Sequence, residues 1–148
     1  MWKPPPNSFA TPYVSASFRR LFEITSMKFA KLVFLLAGIY GLIVVLPLYF
    51  FEEKTGRDYP PPITHPEYYY GFVGVTAAWQ ILYLLISTNP IRYRPIMIPP
   101  MLAKGSFVIA VTILYLQGRV SATMLGASMI DLLLVVLFFI AYLRTPKQ

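Results

Sequence analysis

The chain has 148 residues, of which 57% are hydrophobic, 16% aromatic and only 13% charged, where ordinary soluble proteins carry roughly a quarter of charged residues. A water-soluble domain does not fit that balance, and the net charge of +7 points to an anionic cytoplasmic leaflet rather than to nucleic acid, because the basic residues flank apolar runs instead of forming a patch or a motif. There is no cysteine, so disulfides, thiolate catalysis and iron–sulfur ligation are excluded, and any redox role would need a borrowed cofactor.

Residues 1–28 read as a cytoplasmic extension. The stretch 3–12 is a proline-rich tail, and Val14, Phe18, Leu21, Phe22 and Met27 then recur at helical spacing beside Arg19 and Arg20, the pattern of an amphipathic helix lying in the membrane interface. The Met27-Lys28 pair ahead of an apolar run looks like a natural amino terminus, which would make 1–26 an upstream addition. About 20 mostly apolar residues cross the hydrocarbon of a bilayer, and the first stretch to do so is 29–51. It is longer than a signal-peptide core and lacks a small-x-small cleavage site before Glu52, so it is read as a retained anchor.

A loop, EEKTGRDYPPPITHPE, follows. Pro60, Pro61, Pro62 and Pro66 stiffen it. The sole histidine, His65, has Glu52, Glu53, Asp58 and Glu67 in the same loop, but without metal-ligand spacing, so no metal site is expected. The second span is 69–87, where Thr76, Gln80, Tyr83 and Ser87 recur on one helical face. Arg92 and Arg94 come next, between Pro90 and Pro95. They are read as a positive anchor, with a lipid phosphate clamp as the alternative.

The third span, 96–116, contains Lys104, and the fourth, 122–142, contains Asp131 on a face shared with Ala127 and Ser128. Residues 143–148 form a tail. Lys3, Arg19, Arg20, Lys28, Lys31, Arg92, Arg94, Arg144 and Lys147 then lie on one side of the membrane and only Lys54, Arg57 and Arg119 on the other, which places both termini in the cytoplasm. The expected fold is all-α: an integral membrane antiparallel four-helix bundle, since the connections between spans two and three and spans three and four are short. Small residues four apart, Ala37 with Gly41, Gly74 with Ala78 and Ala122 with Gly126, are expected at helix interfaces.

At about 1.5 Å of rise per residue, Tyr40, Gln80, Lys104 and Asp131 fall at similar depths. A buried polar cluster is therefore expected, centred on a Lys104–Asp131 ion pair with Gln80 and Tyr40 completing its hydrogen bonds and Thr76 and Tyr83 beside it. A buried pair of this kind can also act purely to set helix register. If Pro99 and Pro100 form the first turn of the third helix, Lys104 can instead snorkel to the headgroups. No hydrolytic Ser/His/Asp set, carboxylate dyad or phosphate loop is visible.

The strings HPEYYYGFVGVTAAWQ, NPIRYRPIMIPPMLAKGSF and LQGRV resemble a group of small, uncharacterised bacterial four-helix membrane proteins that are distantly similar to the DoxX-like superfamily. The resemblance covers about residues 28–144 and implies an antiparallel bundle in the bacterial inner membrane. Where those relatives place an acidic residue beside the lysine, this chain has Ala103, which leaves Asp131 as the partner. Some DoxX-like proteins are associated with quinone-linked sulfur oxidation, and no residue here carries that chemistry across.

The leading functional expectation is a non-enzymatic accessory or assembly subunit of a larger membrane complex or homo-oligomer. It would bind lipid, pigment or a partner through its aromatic faces. The alternative is a small proton- or ion-linked transporter using Lys104 and Asp131; a quinone-linked oxidoreductase component ranks third.

Overall fold

The computed structural model describes residues 16–147, with side chains from residue 24 onward. The described residues are helical and contain no strand. Helix α1 spans Ala16–Val45 and ends in a 3-10 turn, Leu46–Phe50; a short α2, Glu52–Asp58, leads to α3, Pro66–Thr88. A second 3-10 turn, Arg94–Met97, runs into α4, Ile98–Leu116, and the chain closes with α5, Ala122–Arg144.

Local chemistry accounts for these boundaries. Pro66 opens α3, and Pro99 and Pro100 sit in the first turn of α4, where a missing N–H costs nothing. Helix α4 ends in a Schellman turn: Gly118, at φ 69°, donates its N–H to the Tyr115 carbonyl at 2.9 Å, and Arg119 donates to that of Leu114 at 2.9 Å. Glycine suits this left-handed position because it has no Cβ to clash. Ser121 caps α5, its Oγ accepting from the Met124 N–H at 3.3 Å.

Two features differ from the expectation. The segment before residue 29 is not a separate surface helix, because α1 runs unbroken from Ala16 into the apolar stretch; Val14 and the stretch 3–12 lie outside the described residues. The first loop is only partly a stiff proline run. Glu52 and Glu53 stand in the first turn of α2 and Arg57 in its last, where their charges complement the helix dipole, and Lys54 pairs with Asp58 one turn on.

Four helical segments, Ile24–Phe50, Pro66–Thr88, Arg94–Leu116 and Ala122–Arg144, are long and apolar enough to cross a membrane, with mean hydropathies of 2.4, 1.5, 1.7 and 2.5. No more than a third of the most apolar stretch of any of them is buried inside the protein. Large apolar side chains such as Leu36, Ile43, Ile81, Ile109 and Leu133 stand outward and uncovered.

Helix α1 packs on α3 and on α5, and α4 packs on α5. Contacts between α1 and α3 run in opposite chain order, from Phe34 with Tyr83 to Tyr49 with Tyr70, so the two are antiparallel. The same holds for α1 and α5, where Phe29 meets Arg144 and Phe34 stacks on Phe138 at 4.4 Å. The core lies at the end where these aromatics meet. Ala30, Phe34, Ala37, Tyr83, Ile86, Met97, Phe138 and Ala141 form it, and Phe138 also meets Tyr83 edge-on at 5.2 Å, a favourable arrangement of ring quadrupoles.

Candidate functional site

Helices α3 and α4 make little direct contact, and the gap between them is a cleft of about 260 Å³. From α3 it is lined by Phe72, Val75, Thr76, Trp79, Gln80 and Tyr83; from α4 by Ala103, Lys104 and Phe107; Asp131 of α5 closes it. At the floor, Lys104 Nζ stands 2.5 Å from Asp131 Oδ1. The two side chains are 14% and 24% exposed, so the pair is neither sealed nor out in the open. Lys104 therefore does not snorkel away from the helix pair; its ammonium is turned toward α5. Starting α4 at Ile98 leaves Lys104 near the middle of the segment Arg94–Leu116, and Asp131 lies near the middle of Ala122–Arg144.

The side-chain cluster is smaller than the sequence suggests. Gln80 is buried and lines the cleft, but its Nε2 donates to the Thr76 carbonyl at 3.0 Å rather than to the pair. The rest of its amide lies against Gly41 of α1, where a Cβ would overlap it. Thr76 and Tyr83 line the same cleft.

Tyr40 does not join them. It is 42% exposed and borders a separate apolar groove between α1 and α5, with Leu36, Ala37, Ile130 and Leu133. The reason is rotational. Gly38 and Gly41 turn their face toward Leu84 and Gln80 of α3, and Tyr40, one residue from Gly41, points about 100° away from it.

The arginines also separate. Arg94 Nε donates to the Thr145 carbonyl at 2.8 Å, and its guanidinium lies 4.0 Å over the Tyr142 ring. It ties the start of α4 to the end of α5 through Nε, as an internal clamp. Arg92 remains exposed beside Tyr93. Sequence reasoning missed this clamp because its carbonyl partner lies 51 positions away and has no side-chain signature. The arginines did carry a hint, since guanidinium groups favour aromatic faces.

The small residues behave unequally. At Gly38 an added Cβ would come within 2.7 Å of Leu84 Cδ2, and at Gly74 within 3.2 Å of the Tyr49 hydroxyl. Around Gly126 there is open space, and Ala122 is exposed. The Ala122–Gly126 step is thus not an interface among the described residues. His65 Nδ1 lies 3.1 Å from Glu67 Oε1 on the exposed loop, and the described residues hold no group of His, Asp or Glu arranged for a metal.

What this arrangement offers chemically is a donor–acceptor pair at the bottom of a mostly apolar, aromatic-walled opening. No family model, curated protein or solved structure matches the chain.

Proposed function

We propose that the chain is a four-span integral membrane protein, an antiparallel helix bundle with both termini in the cytoplasm. It works without catalysis of its own, as an accessory or binding subunit, and the cleft between α3 and α4 is its working site. The bacterial inner membrane implied by the DoxX-like resemblance belongs to this reading. So does the clustering of Lys28, Lys31, Arg92, Arg94, Arg144 and Lys147 around the cytoplasmic ends of the spans.

One observation carries the reading: two opposite charges in mid-span, paired at 2.5 Å yet reachable from a lateral opening. Ionised groups at that depth cost several kcal/mol unless paired. A pair serving only helix register needs no opening beside it. An opening between two loosely touching helices admits molecules from within the bilayer, as binding requires.

Native mass in mild detergent tests the subunit role. The chain should travel in an assembly larger than itself, and a variant with an apolar floor, Lys104→Met with Asp131→Leu, should accumulate but leave that assembly. A wild-type monomer would overturn the role. Topology has its own check, because the chain has no cysteine: a membrane-impermeant maleimide should label Lys54→Cys in intact cells and spare Lys147→Cys.

A second reading, a proton- or ion-linked carrier, is favoured by one feature. Thr76, Gln80 and Tyr83 lend the cleft a polar edge running from the pair along α3. Proton flux in proteoliposomes that disappears in Asp131→Asn would select it.

A further inference from the structure

The lining of the cleft is divided. Phe72, Trp79 and Phe107 form aromatic walls, while Lys104, Asp131 and Tyr83 supply polar groups. Each of the three has bonding capacity left. An ammonium carries three N–H donors, and the bond to Asp131 Oδ1 uses one. Among the described residues no hydrogen bond reaches Asp131 Oδ2 or the Tyr83 hydroxyl, yet no buried side-chain oxygen or nitrogen is left without a partner. Asp131, 24% exposed, therefore keeps Oδ2 open to a guest, whereas Tyr83 is almost wholly buried. Lys104, Asp131 and Tyr83 all line the cleft.

Size and charge narrow what can enter. A cavity of roughly 150 Å³ takes up a benzene ring, so about 260 Å³ holds a ring with substituents. Lys104 and Asp131 already cancel each other, and a charged guest would bring an unbalanced charge against apolar walls at high cost. The floor presents an N–H donor and an acceptor oxygen side by side, which a hydroxyl matches in a single atom because it both donates and accepts.

We propose that the cleft binds an uncharged, lipid-soluble molecule carrying a hydroxyl on or next to a ring-sized apolar body. The hydroxyl accepts from Lys104 Nζ and donates to Asp131 Oδ2, and the aromatic walls hold the body. The molecule enters sideways from the bilayer between α3 and α4. This rests on the membrane reading above and adds the chemistry of the ligand.

Trp79 in the wall reports occupancy. With Trp2→Phe it is the sole tryptophan of the chain, and a bromine atom beside it quenches its fluorescence. The full-length chain in lipid nanodiscs is titrated with a para-bromophenyl alkanol, its methyl ether and the matching bromoalkylbenzene. The alkanol should quench saturably and at about tenfold lower concentration than the other two, as one charge-assisted hydrogen bond supplies. That advantage should disappear in the Lys104→Met, Asp131→Leu double variant.

Equal quenching by all three probes overturns the proposal, as does an ether as potent as the alkanol. Quenching that never saturates, which is partitioning alone, overturns it too. The probe series uses the native floor, so it decides even if the double variant fails to fold. Because cysteine labelling reads topology independently, a failure here with the labelling pattern intact removes the ligand and leaves the membrane reading standing.

Discussion

The α1/α3 pair and the α4/α5 pair solve one problem in opposite ways. In the first, glycines are spent on closeness: Gly38 receives Leu84 and Gly41 receives the Gln80 amide, and the rings of Phe34 and Tyr83 lock the end of the pair away from the Glu52–Asp58 turn. In the second, Gly105 and Gly126 face nothing. Polar contacts replace steric fit there, at three levels: the Schellman turn and Ser121 cap around the connecting turn, the Lys104–Asp131 pair in the middle, and Arg94 on Thr145 and Tyr142 at the far end. In the bilayer proposed above, apolar contact between helices would have little driving force beyond packing. A pair whose small residues are unfilled needs charge or hydrogen bonds to persist. The cleft opens where the sterically fitted pair and the polar-clamped pair fail to close on each other.

The comparison breaks most visibly at the ion pair. Lys104→Met or Asp131→Leu alone leaves one uncompensated charge and should cost about 3–5 kcal/mol, seen as lower thermal stability in detergent and lower accumulation in the membrane. The double substitution should recover most of that loss. A double variant weaker than both singles would mean that the two residues are not a pair in the membrane.

On the other side, Gly41→Ala drives a methyl into the Gln80 amide and should cost about 1–3 kcal/mol by overpacking. Combining it with Gln80→Ala should relieve much of the cost, because the overlapping atoms are gone; strict additivity of the two would argue against the contact. Arg94→Gln gives up the stack on Tyr142 and the charge-assisted bond to Thr145, a loss of about 1–2 kcal/mol. It should appear as faster hydrogen exchange at the start of α4 and the end of α5 while α1 and α3 stay protected.

The smallest expected effect sharpens the contrast best. Gly126→Ala meets open space and should leave stability unchanged or raise it by about 0.5–1 kcal/mol through helix propensity. A loss at Gly126 comparable to that at Gly41 would show that this face is covered in the native assembly.

Much of this protein was legible in its residues. The four long apolar helices follow from run length and composition, and Pro99 and Pro100 mark the first turn of one of them by backbone chemistry alone. Lys104 and Asp131 stood out because charge inside an apolar run has few places to go. The helical turn at Glu52–Asp58 was missed, since seven residues rich in charge carry no apolar periodicity. The amphipathic segment around Met27 looked separable only because hydrophobic pattern does not reveal whether two helical stretches share one axis.

Rise along a helix depends on residue count, so the sequence by itself determined how far along its helix each polar group stands. Rotation about the axis is another matter, because it is set by which neighbours a helix meets and how their side chains interlock. Only the tertiary structure turned Tyr40 out toward α5 while Gly41 met Gln80, held α3 and α4 apart, and put Arg94 on a carbonyl 51 positions away. Depth is a local, additive quantity; azimuth is decided by packing.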